Sequence, residues 1–536
     1  MVAVTAGLVC DLCRTGMEGL SAGLRDVVIP VMSELVVGVC AFRYPMEACQ
    51  EGGREIVEIL LQSVTEKYLN PDTACVTLHA CSSPLYQPQN FTAWVESLYA
   101  EPAFPASPPS PSGQTIRVGQ VTDPHIDFAY APGSSSQCDE SICCESRFGT
   151  NGTTAGYWGD YDCDLPAWTF ESALQSLSEQ PLDFLIYTGD SASHSVMNQT
   201  VAGKLYSNEQ VALRLAHYFP IPIYPVLGNN DGNPAEEFNF QDPFWLTTPL
   251  AALYKTALGP EAMESFRLTG SYSQIHRNSS LRIIALNTQA CKNINFYLIP
   301  NITDPGAQIA FLQSQLALAE SQGERVFILG HIPPGADDCM SDWAERYNAV
   351  VGRYAEVVTG QFFGHTHSDQ FYVGKDYRTG ETVTVQWVAP SVTTLSDRNP
   401  SYRVYDVDSG DFQLLDFHQY RLDLPLANAH NTTTWSEIYS FKDLYTLPNL
   451  NITSISTLVN QLSSDSSLAR MYLENYNAGG PGSPAGCSSG CLAALHCSIV
   501  SPVYRDYLTC TNSTMSRMNR LMESLQGPWT SLVPNQ

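Results

Sequence analysis

Short apolar runs alternate with stretches of helical spacing along this chain, and the two periods divide it into regions. Between residues 114 and 420, strand-like segments at 116–121, 184–187, 223–226, 281–286, 326–329, 361–363, 382–388 and 403–407 predict β-strands. Helical spacing at 167–179, 208–218, 307–322 and 344–358 predicts helices between them. That alternation implies an α/β sandwich, with sheets inside and helices outside. Residues 1–85 carry only helical spacing, in segments 7–23, 24–41, 47–69 and 72–81. Ile56, Ile59, Leu60, Val64 and Tyr68 would line one face of the third segment. Residues 86–113 join the two regions. Their 101–113 portion holds five prolines, which favour a semi-rigid, extended linker. Residues 421–536 read as a mostly helical C-terminal domain that caps the sandwich. No uncharged apolar run reaches the roughly 18 residues a membrane span needs; the densest, 27–42, is broken by Pro30 and Glu34.

The net charge of −27 disfavours nucleic acid as a partner, because affinity for a polyanion comes from Lys and Arg. Two readings of the charge stay open: a solvated acidic surface, or adaptation to an acidic compartment. Sixteen cysteines stand beside eight Asn-X-Ser/Thr sequons, at Asn90, Asn151, Asn198, Asn278, Asn301, Asn431, Asn451 and Asn512. Together they predict a disulfide-bonded glycoprotein of the secretory route. A zinc site at Cys10-x-x-Cys13 is disfavoured, since no second CxxC or His pair lies nearby. No signal peptide is evident: residues 1–9 are apolar but lack a basic flank.

Candidate chemistry sits where apolar runs end. Asp123-Pro-His125, Gly189-Asp190, Gly228-Asn229-Asn230-Asp231, Gly330-His331 and Gly364-His365-Thr-His367 follow one another in that order. Asp, His and Asn supply the oxygen and nitrogen ligands that borderline divalent metals prefer. The two side chains of Asp123-x-His125, and of His365-x-His367, can share a face on extended backbone. Asp190 can bridge two ions, Asn229 offers a carbonyl oxygen, and His331 another imidazole. Seven ligands then serve two ions, which acidify a bridging water and neutralise phosphoryl charge. The residues alone leave zinc, iron and manganese open.

These motifs resemble those of calcineurin-like metallophosphoesterases and, more narrowly, of the acid sphingomyelinase family. The stretches 156–166, 295–305, 330–335, 361–367 and 399–405 carry the narrower resemblance, which extends over essentially the whole chain. It implies a saposin-type, lipid-binding domain at 1–85, a catalytic domain at 114–420 and a C-terminal helical domain at 421–536. It implies disulfides 10–81, 13–75, 40–49, 138–143, 144–163, 291–339, 487–491 and 497–510. It also implies two Zn2+ on Asp123, His125, Asp190, Asn229, His331, His365 and His367. The implied reaction is hydrolysis of sphingomyelin to ceramide and phosphocholine by a metal-bridging hydroxide, with the first domain meeting the membrane surface. The alternative for that domain is a disulfide-stapled bundle that only packs against the enzyme.

An alkoxide leaving group calls for a general acid. The family uses two histidines near the metals; one matches His194, and the other falls at Asn230. An amide can hydrogen-bond a phosphoryl oxygen but cannot donate a proton at working pH. Either His194 acts alone while Asn230 stabilises the transition state, or the true substrate has a better leaving group. The second option implies a related metallophosphohydrolase with a soluble substrate, such as polyphosphate or nucleotides. A non-catalytic lipid-binding relic is the third reading, and the complete ligand set disfavours it. Asp164 could face a choline ammonium and Tyr402 could contact phosphate or head group, with a structural role as the alternative for each.

Overall fold

The computed structural model describes residues 2–41, 46, 49–71, 74–75, 90–100, 107, 109–195, 200–483 and 487–514. Twelve strands form two six-stranded sheets. In chain order they are β1 (Thr115–Val121), β2 (Phe184–Tyr187), β3 (Ile223–Pro225), β4 (Tyr272–Ile275), β5 (Leu281–Ala285), β6 (Arg325–Leu329), β7 (Val358–Phe363), β8 (Gln370–Lys375), β9 (Thr382–Val388), β10 (Ser401–Asp408), β11 (Leu414–Leu422) and β12 (Trp435–Ser440). The first sheet runs β12-β11-β10-β1-β2-β3, the second β8-β9-β7-β6-β5-β4. β1, β2 and β3 are mutually parallel, as are β5, β6, β7 and β9. The flanking strands β10, β11, β12, β4 and β8 pair antiparallel.

The two sheets face each other across an apolar core. Phe327 of β6 meets Phe184 of β2, and Phe362 of β7 meets Tyr405 of β10. Helices Gln308–Gln322 and Ser341–Arg353 cover the outer face of the second sheet with a further buried cluster. This is the α/β sandwich that the alternation of periods predicts.

The sequence reading missed β4, β8, β11 and β12. All lie in the antiparallel margins, where buried and exposed positions mix, as in the half-exposed β4 and β12. Residues 421–536 are therefore not wholly helical: β12 completes the first sheet before the helices Ile452–Leu462, Ser466–Asn475, Ser489–Val500 and Tyr504–Thr511. The segment 86–113 carries a helix ahead of its proline-rich part, of which residues 101–106 and 108 lie outside the described residues. Phe91–Ala100 is a helix whose Phe91, Trp94, Val95, Leu98 and Tyr99 repeat at helical spacing. It packs on Ser341–Arg353, with the Arg346 guanidinium over the Phe91 and Trp94 rings.

At the N-terminus, Val2–Gly23 continues through Leu24–Val28 into Ile29–Cys40, which packs on Arg54–Leu69. Cys13–Cys75 and Cys40–Cys49 tie these helices. Cys81, and most of the helix expected at 72–81, lie outside the described residues. The other five implied disulfides are present: 138–143, 144–163, 291–339, 487–491 and 497–510. Among the described residues, no helix is long and apolar enough to cross a membrane.

Candidate metal centre

The C-terminal ends of five parallel strands converge at one end of the sandwich. β1 delivers Asp123 and His125, β2 Asp190, β3 Asn229, β6 His331, and β7 His365 and His367. Backbone bonds lace the loops together: Asp123 N–H donates to the Gly189 carbonyl, His125 N–H to Asp190, and Gly364 N–H to His331. Glycine precedes several ligands because there is no room for a side chain. A Cβ on Gly228 would lie 2.1 Å from Asp190 Oδ1, and one on Gly364 would lie 2.5 Å from Asp123 Oδ2. Asp123, His125, Asp190, His365 and His367 all have positive φ, between 40° and 69°. Non-glycine residues adopt that region at a cost of about 1–3 kcal/mol each, and such strain clusters at functional sites.

The ligand atoms fall into two overlapping groups, each within 4.8 Å: Asp123, His125, Asp190 and His367, then Asp190, His331 and His365. Asn229 joins the second group through Oδ1, which lies 2.8 Å from His331 Nε2. Asp190 belongs to both, the position of a bridging carboxylate. The imidazoles are held in defined tautomers. His125 donates from Nδ1 to the Ala192 carbonyl at 2.9 Å, and His331 from Nδ1 to the Thr188 carbonyl at 2.6 Å. Their Nε2 atoms then point at Asp190 Oδ2, 3.4 and 3.2 Å away. His365 uses Nε2 toward Asp338, at 2.8 Å, which leaves Nδ1 for a ligand.

Burial resists ionisation of Asp123 and Asp190, yet the histidines around them hold both carboxyls below their usual range. Burial likewise disfavours charge on His125 and His331. The neighbouring carboxylates prevail there and raise the two imidazoles to about 9 and about 10. The cluster therefore draws positive charge into a buried site. All donors are oxygen or nitrogen, and His125 and His367 bring two Nε2 atoms within 3.0 Å, so divalent cations fit the set.

A connected network supports one end of this centre, and the sequence reading did not anticipate it. Asp338 bonds His365 and also Lys292, whose Nζ lies 2.6 Å from it. Lys292 Nζ lies 2.6 Å from Glu236 as well, and Glu236 accepts from the Asn229 amide at 3.1 Å. The chain His365–Asp338–Lys292–Glu236–Asn229 thus orients two ligands of the second group. Lys292 and Asp338 each adjoin a half of the Cys291–Cys339 disulfide, which keeps them together. Only the implied disulfide hinted at this proximity. Asp231 supplies a second brace: its carboxylate accepts from the backbone N–H of Asp190, Ser191 and Gly228.

His194 lies beside the first group, its ring stacked on His125 with centroids 3.9 Å apart. Its Nδ1 meets Asp164 Oδ1 at 2.9 Å, and its backbone N–H donates to Asp164 Oδ2 at 2.6 Å. Asp164 therefore does not face a choline group, contrary to expectation. It is fully buried, bonds Thr393 as well, and orients His194. Burial would raise its carboxyl, but His194 holds it below the usual value.

Tyr402 also departs from expectation. It is buried between Tyr420 and Trp435, with its hydroxyl on Ser176 of the helix Ala167–Ser178. It is a core residue of β10, not a substrate contact. Asn230 is buried with its amide donating to Asp190 Oδ2 at 2.9 Å, so it touches the bridging carboxylate directly. Its carbonyl accepts from the buried Lys204 ammonium at 2.5 Å.

Comparison with known proteins agrees with this arrangement. Residues 116–369 match the family "Calcineurin-like phosphoesterase", and residues 381–517 match "Acid sphingomyelin phosphodiesterase C-terminal region". The chain is 33% identical over 518 residues to a sphingomyelin phosphodiesterase of Bos taurus, covering 92% of this chain and 82% of that protein. It is 32% identical over 520 residues to the Homo sapiens sphingomyelin phosphodiesterase, covering 92% and 81%. A cyclic GMP-AMP phosphodiesterase of Mus musculus is 31% identical over 431 residues, covering 75% of this chain and 94% of its own length. With a dimetal type of ligand cluster and relatives matched over most of their length, the chain belongs to the acid sphingomyelinase family of calcineurin-like phosphoesterases, a family of phosphoric diester hydrolases.

Proposed function

We propose that the protein hydrolyses sphingomyelin to ceramide and phosphocholine at a dinuclear zinc site. Asp123, His125, Asp190 and His367 would hold one ion, and Asp190, Asn229, His331 and His365 the other. Bound there, two cations supply an activated water and neutralise charge on the phosphoryl oxygens.

The observation that carries the reading is the Asp164–His194 pair beside the ligand cluster. With Nδ1 committed to Asp164, His194 keeps Nε2 for another partner, and its side chain is 26% exposed. A protonated Nε2 can give its proton to the departing ceramide alkoxide, while buried Asp164 keeps the ring in place and stabilises its charge. Asn230 is a positioning residue in this scheme, fixing the Asp190 carboxylate. His194→Ala should lower sphingomyelin turnover about 10²–10⁴-fold. Turnover of a bis-aryl phosphodiester, whose leaving group needs no proton, should fall far less. Equal losses on both substrates would remove His194 from the acid role.

The N-terminal helices fit a saposin-type, lipid-presenting role. Val27, Val31, Leu35 and Val39 recur every four residues along the second helical segment and are 62%, 64%, 59% and 64% exposed. A contiguous apolar stripe of this kind suits a lipid surface. The disulfides and sequons are in keeping with a secreted or lysosomal glycoprotein.

A related phosphohydrolase with a soluble substrate, such as polyphosphate or nucleotides, is the second reading. It is favoured by Asn230, which leaves His194 as the sole acid of the expected pair. Offering sphingomyelin vesicles and polyphosphate in parallel separates the two: phosphocholine release supports the first, and phosphate release without phosphocholine supports the second.

A further inference from the structure

The helix Val201–Tyr218 buries one face, and that face changes character along its length. Leu215, Ala212 and Val211 belong to the main apolar core. The same stripe continues toward the N-terminus as Asn208 and Lys204, 3% and 1% exposed. An amide and an ammonium buried where leucine would pack are unfavourable unless each finds partners. Their partners are the two loops that follow β2 and β3. Lys204 Nζ donates to the Asn230 carbonyl at 2.5 Å, and Ser191 Oγ donates to Asn208 Oδ1 at 3.1 Å. Asn208 Nδ2 donates to the Lys204 carbonyl at 3.0 Å, a bond inside the helix that fixes the orientation of the amide.

Asn230 follows the candidate ligand Asn229, and Ser191 follows Asp190, so each bond holds the chain one residue past a metal-binding side chain. Asp231 joins the two loops, its carboxylate accepting from Ser191 N–H at 2.7 Å and from Asp190 N–H at 3.1 Å. Burial lowers the Lys204 ammonium from 10.5 to about 8, and the carboxylates of Asp231, Asp190, Glu236 and Asp164 oppose the shift. The group is therefore a cation at neutral and acidic pH, drawn toward the loop it bonds. The Lys292 network orients the side chains of Asn229 and His365, whereas Lys204 and Asn208 act on the chain behind Asn229 and Asp190.

We propose that Lys204 and Asn208 are positioning residues for the metal centre: one helix face clamps the Asp190 and Asn229 loops and sets how the two ligands face each other. Asp190 belongs to both ligand groups, so a slack clamp disturbs both ions, whereas the Lys292 network serves the second group. The inference deepens the proposed function and rests on its dinuclear metal centre, not on sphingomyelin as the substrate. It also accounts for the polar stretch of a buried helix face. Leucine at 204 or 208 would pack, but it would take from the Asn230 carbonyl or the Ser191 hydroxyl its partner on the helix.

Cobalt(II), loaded into the metal-stripped full chain, tests the clamp apart from turnover, because its visible absorption reads the arrangement of the ligands. Lys204→Met, Asn208→Leu and Leu215→Ala would be compared with wild type. Lys204→Met and Asn208→Leu should each alter the cobalt spectrum. Each should also lower kcat on a soluble bis-aryl phosphodiester about 10–100-fold, with KM within about twofold of wild type. Leu215→Ala thins the core under the same helix and touches neither loop. It should lower the melting temperature and leave the spectrum and kcat at wild-type values. An unchanged spectrum or kcat in either clamp variant, or equal changes in Leu215→Ala, would overturn the clamp. If Lys204→Met does not fold, Asn208→Leu, whose side chain has nearly the same shape, decides alone. The two readings fail separately. Wild type that takes up no cobalt sinks the metal centre and the clamp with it. A clamp confirmed on the aryl diester in a protein that leaves sphingomyelin intact sinks only the substrate assignment.

Discussion

Lys292→Met is the most discriminating test of how this metal centre is held. The lysine side chain is 6% exposed and lies 2.6 Å from both Asp338 and Glu236. Methionine keeps most of the stem and removes the charge, so two carboxylates must face each other without their shared cation. Breaking a buried pair costs about 3–5 kcal/mol. Here Asp338 and Glu236 remain 24% and 27% exposed, so water relieves part of that and ~2–3 kcal/mol is expected. The loss should reach the metal, because Asp338 fixes His365 and Glu236 fixes Asn229. Outer contacts of this kind typically change metal affinity about 10–100-fold, or about 1.4–2.8 kcal/mol. Metal-stripped protein would be titrated with zinc by calorimetry, and bound ions counted after dialysis. Wild type should take two equivalents. The variant should bind one of them about 10–100-fold more weakly and keep the other, since the side chains that Asp338 and Glu236 hold, His365 and Asn229, both belong to the second group. Two equivalents at wild-type affinity would refute the coupling. Equal weakening of both would mean the lysine serves general stability.

Further predictions concern the helix before the catalytic domain and the effect of pH. Removing residues 1–89 should depress turnover of vesicle-bound lipid while sparing a soluble aryl diester. Removing 1–100 should also lower the melting temperature, because Leu98 and Tyr99 are buried in the second sheet's outer core; equal melting of the two truncations would show that this helix only rests on the surface. Burial pushes the Glu237 carboxyl from 4.5 up to about 9, against the backbone N–H of Phe296 that favours its charged form. The folded protein therefore keeps a proton that the unfolded chain releases above about pH 4.5. That stabilisation is complete below pH 4.5 and disappears as pH rises toward 9, at up to ~1.4 kcal/mol per pH unit. Thermal melting should be higher at pH 5 than at pH 8, and Glu237→Gln should flatten the difference; an unchanged pH profile in the variant would exclude the residue.

The candidate ligands, which the structure brings together, and much of the fold were legible in the chain because both depend on local pattern. Buried parallel strands are largely apolar on both faces, so β2 and the 326–329 part of β6 read as unbroken runs, and ligands follow where those runs stop. The glycines of the motifs were visible too, although their cause was not: they clear space for carboxylates brought from other strands. The antiparallel margins β4, β11 and β12 escaped notice because their residues answer to solvent on one side and core on the other. The helix Phe91–Ala100 was obscured by the prolines that follow it.

What only the tertiary structure decided was partnership. Asp164 and Tyr402 belong to segments that suggest a substrate pocket, yet long-range packing buries both and gives Asp164 to His194. Lys292, Asp338 and Glu236 carry no motif. They acquire a role because a disulfide and three loops place opposite charges within hydrogen-bond reach of two ligands. Periodicity records whether a residue is buried, and a motif records what it can bind. Which distant group stands opposite is set by the docking of sheets and loops, and there the sequence taken position by position holds no record of the contact.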